Sequence, residues 1–174
     1  MKPIVRRPTR GVRQRRLAML LSSLPSHPCG NVELEQYSTS GDVAASWLAQ
    51  IAAFGDLNEN SVVVDLGAGN GILGIGAALM GAAQVVLIEV DEKACSVAFE
   101  AIEAVGVENT VEIICKNVDS SVDIAGAGVV ISNPPWGVQK EKADRPFLEL
   151  ILRSGAICHL MHSAEATHIE PIFS

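Results

Sequence analysis

The chain has 174 residues, of which 48% are hydrophobic, and its formal net charge at pH 7 is −7. A chain of this length and apolar content is expected to fold around a hydrophobic core of its own. Its four cysteines show no CxxC pair, which argues against a zinc site or a disulfide framework and predicts free thiols in a reducing, cytoplasmic compartment. No apolar run reaches the ~20 residues of a membrane span, and no signal peptide is predicted.

Positive charge is concentrated at the N-terminus. Seven of the 13 Lys and Arg residues lie within the first 16 residues, a stretch without any acidic residue. An acidic body with a basic arm is typical of proteins that bind a polyanion, and a solvated tail is the alternative. We therefore predict a basic arm and helix over residues 1–30 and a larger domain over 31–174. The candidate polyanion-binding residues are Arg6, Arg7, Arg10, Arg13, Arg15 and Arg16.

The order of predicted elements indicates an α/β protein. Two helices come first, over residues 12–22 and 41–54, and the second repeats apolar residues at helical spacing. Strands and helices then alternate, and the strands are continuous apolar runs that suit a buried parallel sheet. This pattern predicts a doubly wound, mostly parallel sheet with ligands at the carboxyl ends of its strands. The strands are predicted at 61–66, 83–90, 110–115, 128–132 and 156–161, and the intervening helices at 72–80, 91–105 and 145–154.

The first two strands end in residues suited to an adenosine-type ligand. The first runs into the sequence DLGAGNG at 65–71, where alternate glycines permit positive φ and expose bare backbone. Ile72 stands where the dinucleotide fingerprint has its third glycine, so a pyrophosphate site is not specifically indicated. Glu89 ends the second strand, 22 residues after Gly67, and suits ribose hydroxyls. Asp91 is instead predicted to cap the following helix.

The next two strands also end in polar side chains. Asn117 follows the third strand, where its amide is placed to reach the edge of an adenine ring. Asn133, Pro134, Pro135 and Trp136 follow the fourth strand. The two prolines fix the backbone, so a rigid carbonyl lies beside the Asn133 amide oxygen, and two acceptors suit an –NH2 group. Because Trp136 can stack on a flat ring, the segment is predicted to clamp a planar amine or amide.

Together these segments resemble the class I, Rossmann-like methyltransferases that use S-adenosylmethionine, methylate amino groups and carry an Asn-Pro-Pro-aromatic tetrad. The stretch LEQYSTS at 34–40 narrows the resemblance to the methyltransferase-like protein 5 family and its archaeal relatives. That family methylates the exocyclic amine of an adenosine in small-subunit ribosomal RNA. The resemblance covers residues 34–162, and it implies an RNA-binding role for the basic arm.

The resemblance also implies a set of site residues. The target clamp would be Asn133, Pro134, Pro135 and Trp136, with no metal ion. The cofactor would be held by Gln36, Tyr37, Thr39, Asp65, Gly67, Gly69, Asn70, Gly71, Ile72, Glu89, Asn117 and Val118.

Family members further pair a sheet edge with a small zinc-containing activator protein, for which the strand TVEIIC at 110–115 is the candidate edge. They also continue beyond the fifth strand, so this sheet is expected to lack the C-terminal strands or to be completed by a partner.

Two other functions remain open at this point. A protein methyltransferase that acts on a glutamine side-chain amide would present the same –NH2 group to the same tetrad. A non-catalytic subunit would keep the fold as a scaffold. Three histidines, His159, His162 and His168, are interpreted as ordinary strand and loop residues rather than metal ligands.

Overall fold

The computed structural model describes residues 10–28, 39–135 and 143–162, with the side chains of residues 10–12 excluded. Within these residues the strands form one five-stranded parallel sheet in the order β3-β2-β1-β4-β5. The strands are β1 (Val62–Leu66), β2 (Gln84–Glu89), β3 (Val111–Cys115), β4 (Val129–Ser132) and β5 (Ile157–Leu160). The helices are α1 (Arg10–Ser22), α2 (Gly41–Phe54), α3 (Ile72–Leu79), α4 (Glu92–Val105) and α5 (Arg145–Ser154).

The predicted doubly wound sheet is confirmed, and the predicted ends of its elements agree with the structure to within two residues. β1 is central and pairs with β2 on one side and with β4 on the other, so Leu66 lies opposite both Ile88 and Ser132. The chain winds outward in one direction from β1 to β3 and in the other direction from β4 to β5, so the switch point lies between β1 and β4. Open α/β sheets bind ligands at this point. No helix in the described ranges has the length and apolar character needed to cross a membrane.

Two apolar layers cover the sheet. Successive strand residues point to opposite faces, so Val63 and Val85 pack into the layer beneath α1–α4, whereas Val64 and Val130 pack against α5. Each of these four valines is at most 4% exposed. Burial on both faces explains why the strands have continuous apolar sequences, as expected for a parallel sheet.

The first helix is part of the packed body. Leu17, Ala18, Leu21 and Leu24 are buried in the larger apolar layer. Gly41 at the start of α2 allows this contact, because an added Cβ would lie only 2.7 Å from the Ala18 carbonyl oxygen. Residues 1–9 and 29–38 lie outside the described residues, and the boundary at residue 30 stays a prediction.

The prediction of free thiols is wrong for two cysteines. Cys95 on α4 and Cys115 at the end of β3 form a disulfide, with their Cα atoms 6.1 Å apart. They lie 20 residues apart in sequence, and the packing of α4 beside β3 brings them together. Cys158 is a free thiol, whose pKa burial raises to about 11. Cys29 is outside the described residues, and a cytoplasmic location stays a prediction without support from thiol chemistry.

Candidate active site

The glycine turn after β1 has the backbone conformation that its sequence predicts. Gly67, Gly69 and Gly71 have φ angles of 70°, 57° and 79°, which residues with a Cβ atom rarely adopt. The amide groups of Gly67 and Ala68 both donate to the Ile88 carbonyl, at 2.9 and 3.1 Å. The turn is therefore fixed to the end of β2, and Ile72, 6% exposed, begins α3 directly after it.

Glu89 connects the glycine turn to the exit of β2. One carboxylate oxygen accepts from the amides of Val90 and Asp91, each at 2.8 Å, and the other accepts from the Gly69 amide at 2.8 Å. Glu89 is 7% exposed, so it is a buried acid held by three backbone donors. Asp91 caps α4, as predicted, and accepts from the Lys93 amide.

Asp65 is a second buried acid beneath the same turn. One carboxylate oxygen accepts from the Gly74 amide at 2.9 Å, whereas Oδ1 has no hydrogen-bond partner among the described residues. The pKa of the Asp65 carboxyl is raised to about 7, chiefly by burial; the Gly74 hydrogen bond opposes the shift, and the nearby Glu89 charge adds to it. A buried carboxyl with one unbonded oxygen and a raised pKa is typical of functional sites.

A short segment after α1 lies over the turn, and sequence reasoning did not detect it. The Asn70 side chain donates to the Pro25 carbonyl at 3.0 Å. The His27 ring lies so close that a Cβ on Gly69 would be 2.8 Å from it. Burial lowers the pKa of His27, against the opposing charges of Glu89 and Asp91. The Pro-X-His-Pro sequence gives no local signal for this contact, because it depends on how α1 packs against α2.

The exit of β3 contributes Asn117 and Val118. Val118 is buried in the smaller apolar layer, 4% exposed. Asn117 is exposed, and its side-chain nitrogen donates to Asp119 at 3.3 Å. The two residues lie near the end of β2, because the Lys116 amide donates to the Glu89 carbonyl at 2.7 Å.

The exit of β4 contributes the predicted target clamp. The Ser132 hydroxyl donates to the Leu66 carbonyl at 2.8 Å, which ties this strand end to the start of the glycine turn. The next residue, Asn133, donates from its side-chain nitrogen to the Thr39 hydroxyl at 3.2 Å. Pro134 is buried and Pro135 is half-buried. Among the predicted clamp and cofactor residues, Gln36, Tyr37 and Trp136 lie outside the described residues.

Two histidines of the β5 region pair with acids. His159 lies 3.0 Å from an Asp56 oxygen, and His162 lies 3.1 Å from an Asp144 oxygen. Neither histidine belongs to a group of three or more potential metal ligands within the described ranges. The interpretation of these histidines as ordinary residues missed the second pair, which is buried and close to the clamp.

The described basic residues of the arm lie on α1. Arg13, Arg15 and Arg16 are exposed, and the first and third line a groove of about 980 Å³ that also includes Ala53 and Met80. Because α3 starts at the glycine turn and runs for eight residues, Met80 lies about 12 Å from that turn along the helix axis. The groove is therefore separate from the strand ends that carry the glycine turn. Arg6 and Arg7 lie outside the described residues, as does the side chain of Arg10.

The structure has the features of a class I methyltransferase. These are the parallel sheet, the glycine turn at its switch point, the acid after β2 and the Asn-Pro-Pro segment at the same edge. The chain belongs to the methyltransferase small domain family, whose model matches residues 40–162. S-adenosylmethionine is its cofactor.

Three similar proteins match most of the chain. An uncharacterised protein of Methanocaldococcus jannaschii is 35% identical over 164 residues, which are 87% of this chain and 72% of that protein. The rRNA N(6)-adenosine-methyltransferase METTL5 of Danio rerio is 31% identical over 148 residues, which are 79% of this chain and 68% of that protein. A provisionally assigned RNA methyltransferase of Pyrococcus horikoshii, 35% identical, superimposes with a TM-score of 0.78 over 92% of this chain and 77% of that one.

The described residues fit S-adenosylmethionine. Three positive-φ glycines leave backbone bare at the switch point. The buried Glu89 carboxylate lies at the same edge, where negative charge favours a cationic ligand. The resemblance stated from the sequence is thus confirmed at the level of the methyltransferase family.

Proposed function

We propose that this methyltransferase acts on the exocyclic amine of an adenosine in RNA, within small-subunit ribosomal RNA. The observation that carries the proposal is the oriented amide of Asn133 at the end of β4. Its side-chain nitrogen donates to Thr39, and in this proposal its side-chain oxygen accepts from the substrate amine. The similarity to the zebrafish rRNA enzyme, at 31% identity, supports adenosine as the target.

The chain's own residues would activate the amine. The nitrogen of adenine is a weak nucleophile because its lone pair is shared with the ring. Two acceptors, the Asn133 side-chain oxygen and the Pro134 carbonyl, would favour a tetrahedral nitrogen and the positive charge that develops on it. This is stabilisation of the transition state by preorganised dipoles. When bound, S-adenosylmethionine supplies a methyl group on a sulfonium, and Trp136 would hold the unstacked base against the clamp.

The cofactor would lie across the glycine turn. In this proposal the backbone of Gly67, Gly69 and Gly71 forms its floor, and the Glu89 carboxylate binds the ribose through the remaining lone pair of the oxygen that accepts from Gly69. The other proposed contacts on the cofactor are Gln36, Tyr37, Thr39, Asp65, Asn70, Ile72, Asn117 and Val118.

The RNA would contact a second surface as well. Arg13, Arg15 and Arg16 are exposed on α1, away from the cofactor edge, so they would bind phosphates several nucleotides from the target rather than the target itself. Such contacts are sequence-independent and weaken with salt, because binding releases counterions from the RNA. Arg6, Arg7 and Arg10 would add to the same contact.

A protein partner is part of the proposal. β3 is an edge strand of the described sheet, and Ile114 on it is 38% exposed. An exposed edge offers unpaired backbone groups to a strand from another chain. A small zinc-containing activator protein that pairs with β3 would cover this edge. Co-purification that is lost when Ile114 is replaced by Lys would support the pairing.

The test of the function is transfer of labelled methyl groups from S-adenosylmethionine to purified small-subunit ribosomal RNA, followed by nucleoside analysis. We expect N6-methyladenosine, and for Asn133→Ala a loss in rate of at least ~100-fold with cofactor binding retained, the usual scale for one lost transition-state contact. Normal turnover by that variant would refute the clamp. Label on a protein glutamine would favour the amide methyltransferase instead, and absence of cofactor binding by calorimetry would favour the scaffold.

A further inference from the structure

We propose that the buried Asp144–His162 pair is a positioning element of methyl transfer, which anchors the chain on either side of the target clamp to the end of β5. The inference rests on the proposed function for its substrate. It concerns two side chains that lie beside the clamp and to which neither the sequence nor the family assigns a role.

His162 lies beside the start of the clamp, and Asp144 follows the clamp in the chain. The Met161 amide donates to the Ser132 carbonyl at 2.9 Å, so pairing of β5 with β4 continues to the last residue before Asn133. His162 is the next residue along this strand end. Asp144 immediately precedes α5, the helix that follows the clamp in the chain. The His162–Asp144 hydrogen bond therefore ties the start of α5 to β5, the strand that pairs with β4.

Burial and local geometry favour positioning over stabilisation. The His162 and Asp144 side chains are 7% and 4% exposed, and His162 Nε2 lies 3.1 Å from Asp144 Oδ2. Asp144 stands at the N-cap of α5 but makes no side-chain capping bond, so its carboxylate is directed to His162 instead of to the helix end. Buried pairs of this kind contribute little net stability, because desolvation offsets their attraction, and their directional bonds fix geometry.

A second pair of the same chemistry provides a matched control. His159 on β5 lies 3.0 Å from Asp56, with side chains 16% and 22% exposed. Asp56 follows the C-terminal end of α2, whereas Thr39 precedes its N-terminal end. Because α2 has 14 residues, the two ends are about 20 Å apart. The His159–Asp56 pair thus ties the same strand to the far end of α2. His159 itself lies opposite Ile131, so the control has the same strand and chemistry as the first pair but a partner acid remote from Thr39.

Asn133 is then held from two directions. Thr39 bonds its amide directly, and the Asp144–His162 pair fixes the backbone to either side through β5 and α5. Loss of the pair would leave the amide free to shift by a fraction of an ångström to an ångström, and misplacement on that scale costs up to about 100-fold in rate. The cofactor floor belongs to the β1 and β2 exits, so cofactor affinity should not change.

The experiment compares His162→Gln, Asp144→Asn, the double variant and the control His159→Gln, at a temperature where all are folded by circular dichroism. We expect kcat for the methyl acceptor to fall about 10- to 100-fold in either single variant, and the double to be no slower than the slower single, as for two residues that act as one unit. The acceptor KM and the Kd for S-adenosylmethionine should stay within about threefold of the wild-type values, and the control should keep wild-type kcat.

Three results would overturn the inference: wild-type kcat in folded single variants, equal losses in the His159→Gln control, or losses that multiply in the double variant. If His162→Gln does not fold, the isosteric Asp144→Asn decides, and failure of both to fold would show that the pair is merely structural. If the wild-type protein methylates a protein amide instead of RNA, the proposed function is refuted but the role of the pair is not. The same comparison of kcat values is then made with the protein acceptor.

Discussion

The buried carboxyl of Asp65 makes the stability of the fold depend on pH. Its pKa is raised from 3.8 to about 7 by burial, so the folded state holds this proton more tightly than the unfolded chain does. The stabilising contribution is complete below pH 3.8 and is lost as pH rises through 7. At 1.36 kcal/mol per pKa unit the whole loss is about 4 kcal/mol, of which more than half falls between pH 5 and 8.

The variant Asp65→Asn keeps an acceptor for the Gly74 amide but has no proton to exchange. We expect the free energy of unfolding of this variant, relative to wild type, to increase by about 2 to 3 kcal/mol from pH 5 to pH 8. Urea denaturation followed by tryptophan fluorescence at both pH values measures it. Glu103→Gln, on the exposed face of α4, is the control and should show no such change. A difference between Asp65→Asn and wild type that is the same at both pH values, within about 0.5 kcal/mol, would refute the reasoning.

Three further predictions concern the site. Thr39→Val should lower kcat about tenfold because Asn133 loses its acceptor, while Thr39→Ser should keep most activity; equal losses in both would contradict the role of the hydroxyl. Gly69→Ala should weaken S-adenosylmethionine binding and destabilise the fold by about 1 kcal/mol or more, since its φ is +57° and the added methyl group would contact His27. If calorimetry shows unchanged affinity, the glycine turn is not the floor of the cofactor site. Replacing Arg13, Arg15 and Arg16 with Gln should reduce the slope of log K for RNA binding against log salt concentration by about two units, and cofactor affinity should not change. Substitution is preferable to deletion because Leu17 and Leu21 of the same helix are buried.

The chain's local patterns were sufficient to predict the sheet and the positions of its ligand edge. Strands such as VVVDL and QVVLIE are apolar because both of their faces are covered. Helices are amphipathic because only one face is covered, so strands and helices can be told apart from the pattern of apolar residues. The glycine turn was predictable for a similar reason, because positive φ strongly favours glycine. The cap at Asp91 also depends only on neighbouring residues.

Side-chain partners that are distant in sequence were not predictable in this way. Thr39 and Asn133 bond across 94 residues, and Asp144 and His162 meet only because α5 and β5 pack together. His27 was missed since its position over Gly69 depends on the path of the chain after α1. The prediction of free thiols was wrong for Cys95 and Cys115, because sequence spacing carries no information about which helix lies beside which strand.

The sequence by itself therefore determined the α/β architecture, the location of the site at the carboxyl ends of the strands and the chemical types gathered there. Each of these follows from periodicity and backbone preference, which act over a few residues. Only the tertiary structure decided that the Asn133 amide is oriented by Thr39, that Glu89 is bound by the glycine turn, and that a buried acid–imidazole pair lies beside the clamp. Those contacts depend on packing between remote elements, where hydrogen-bond geometry is set by the whole fold.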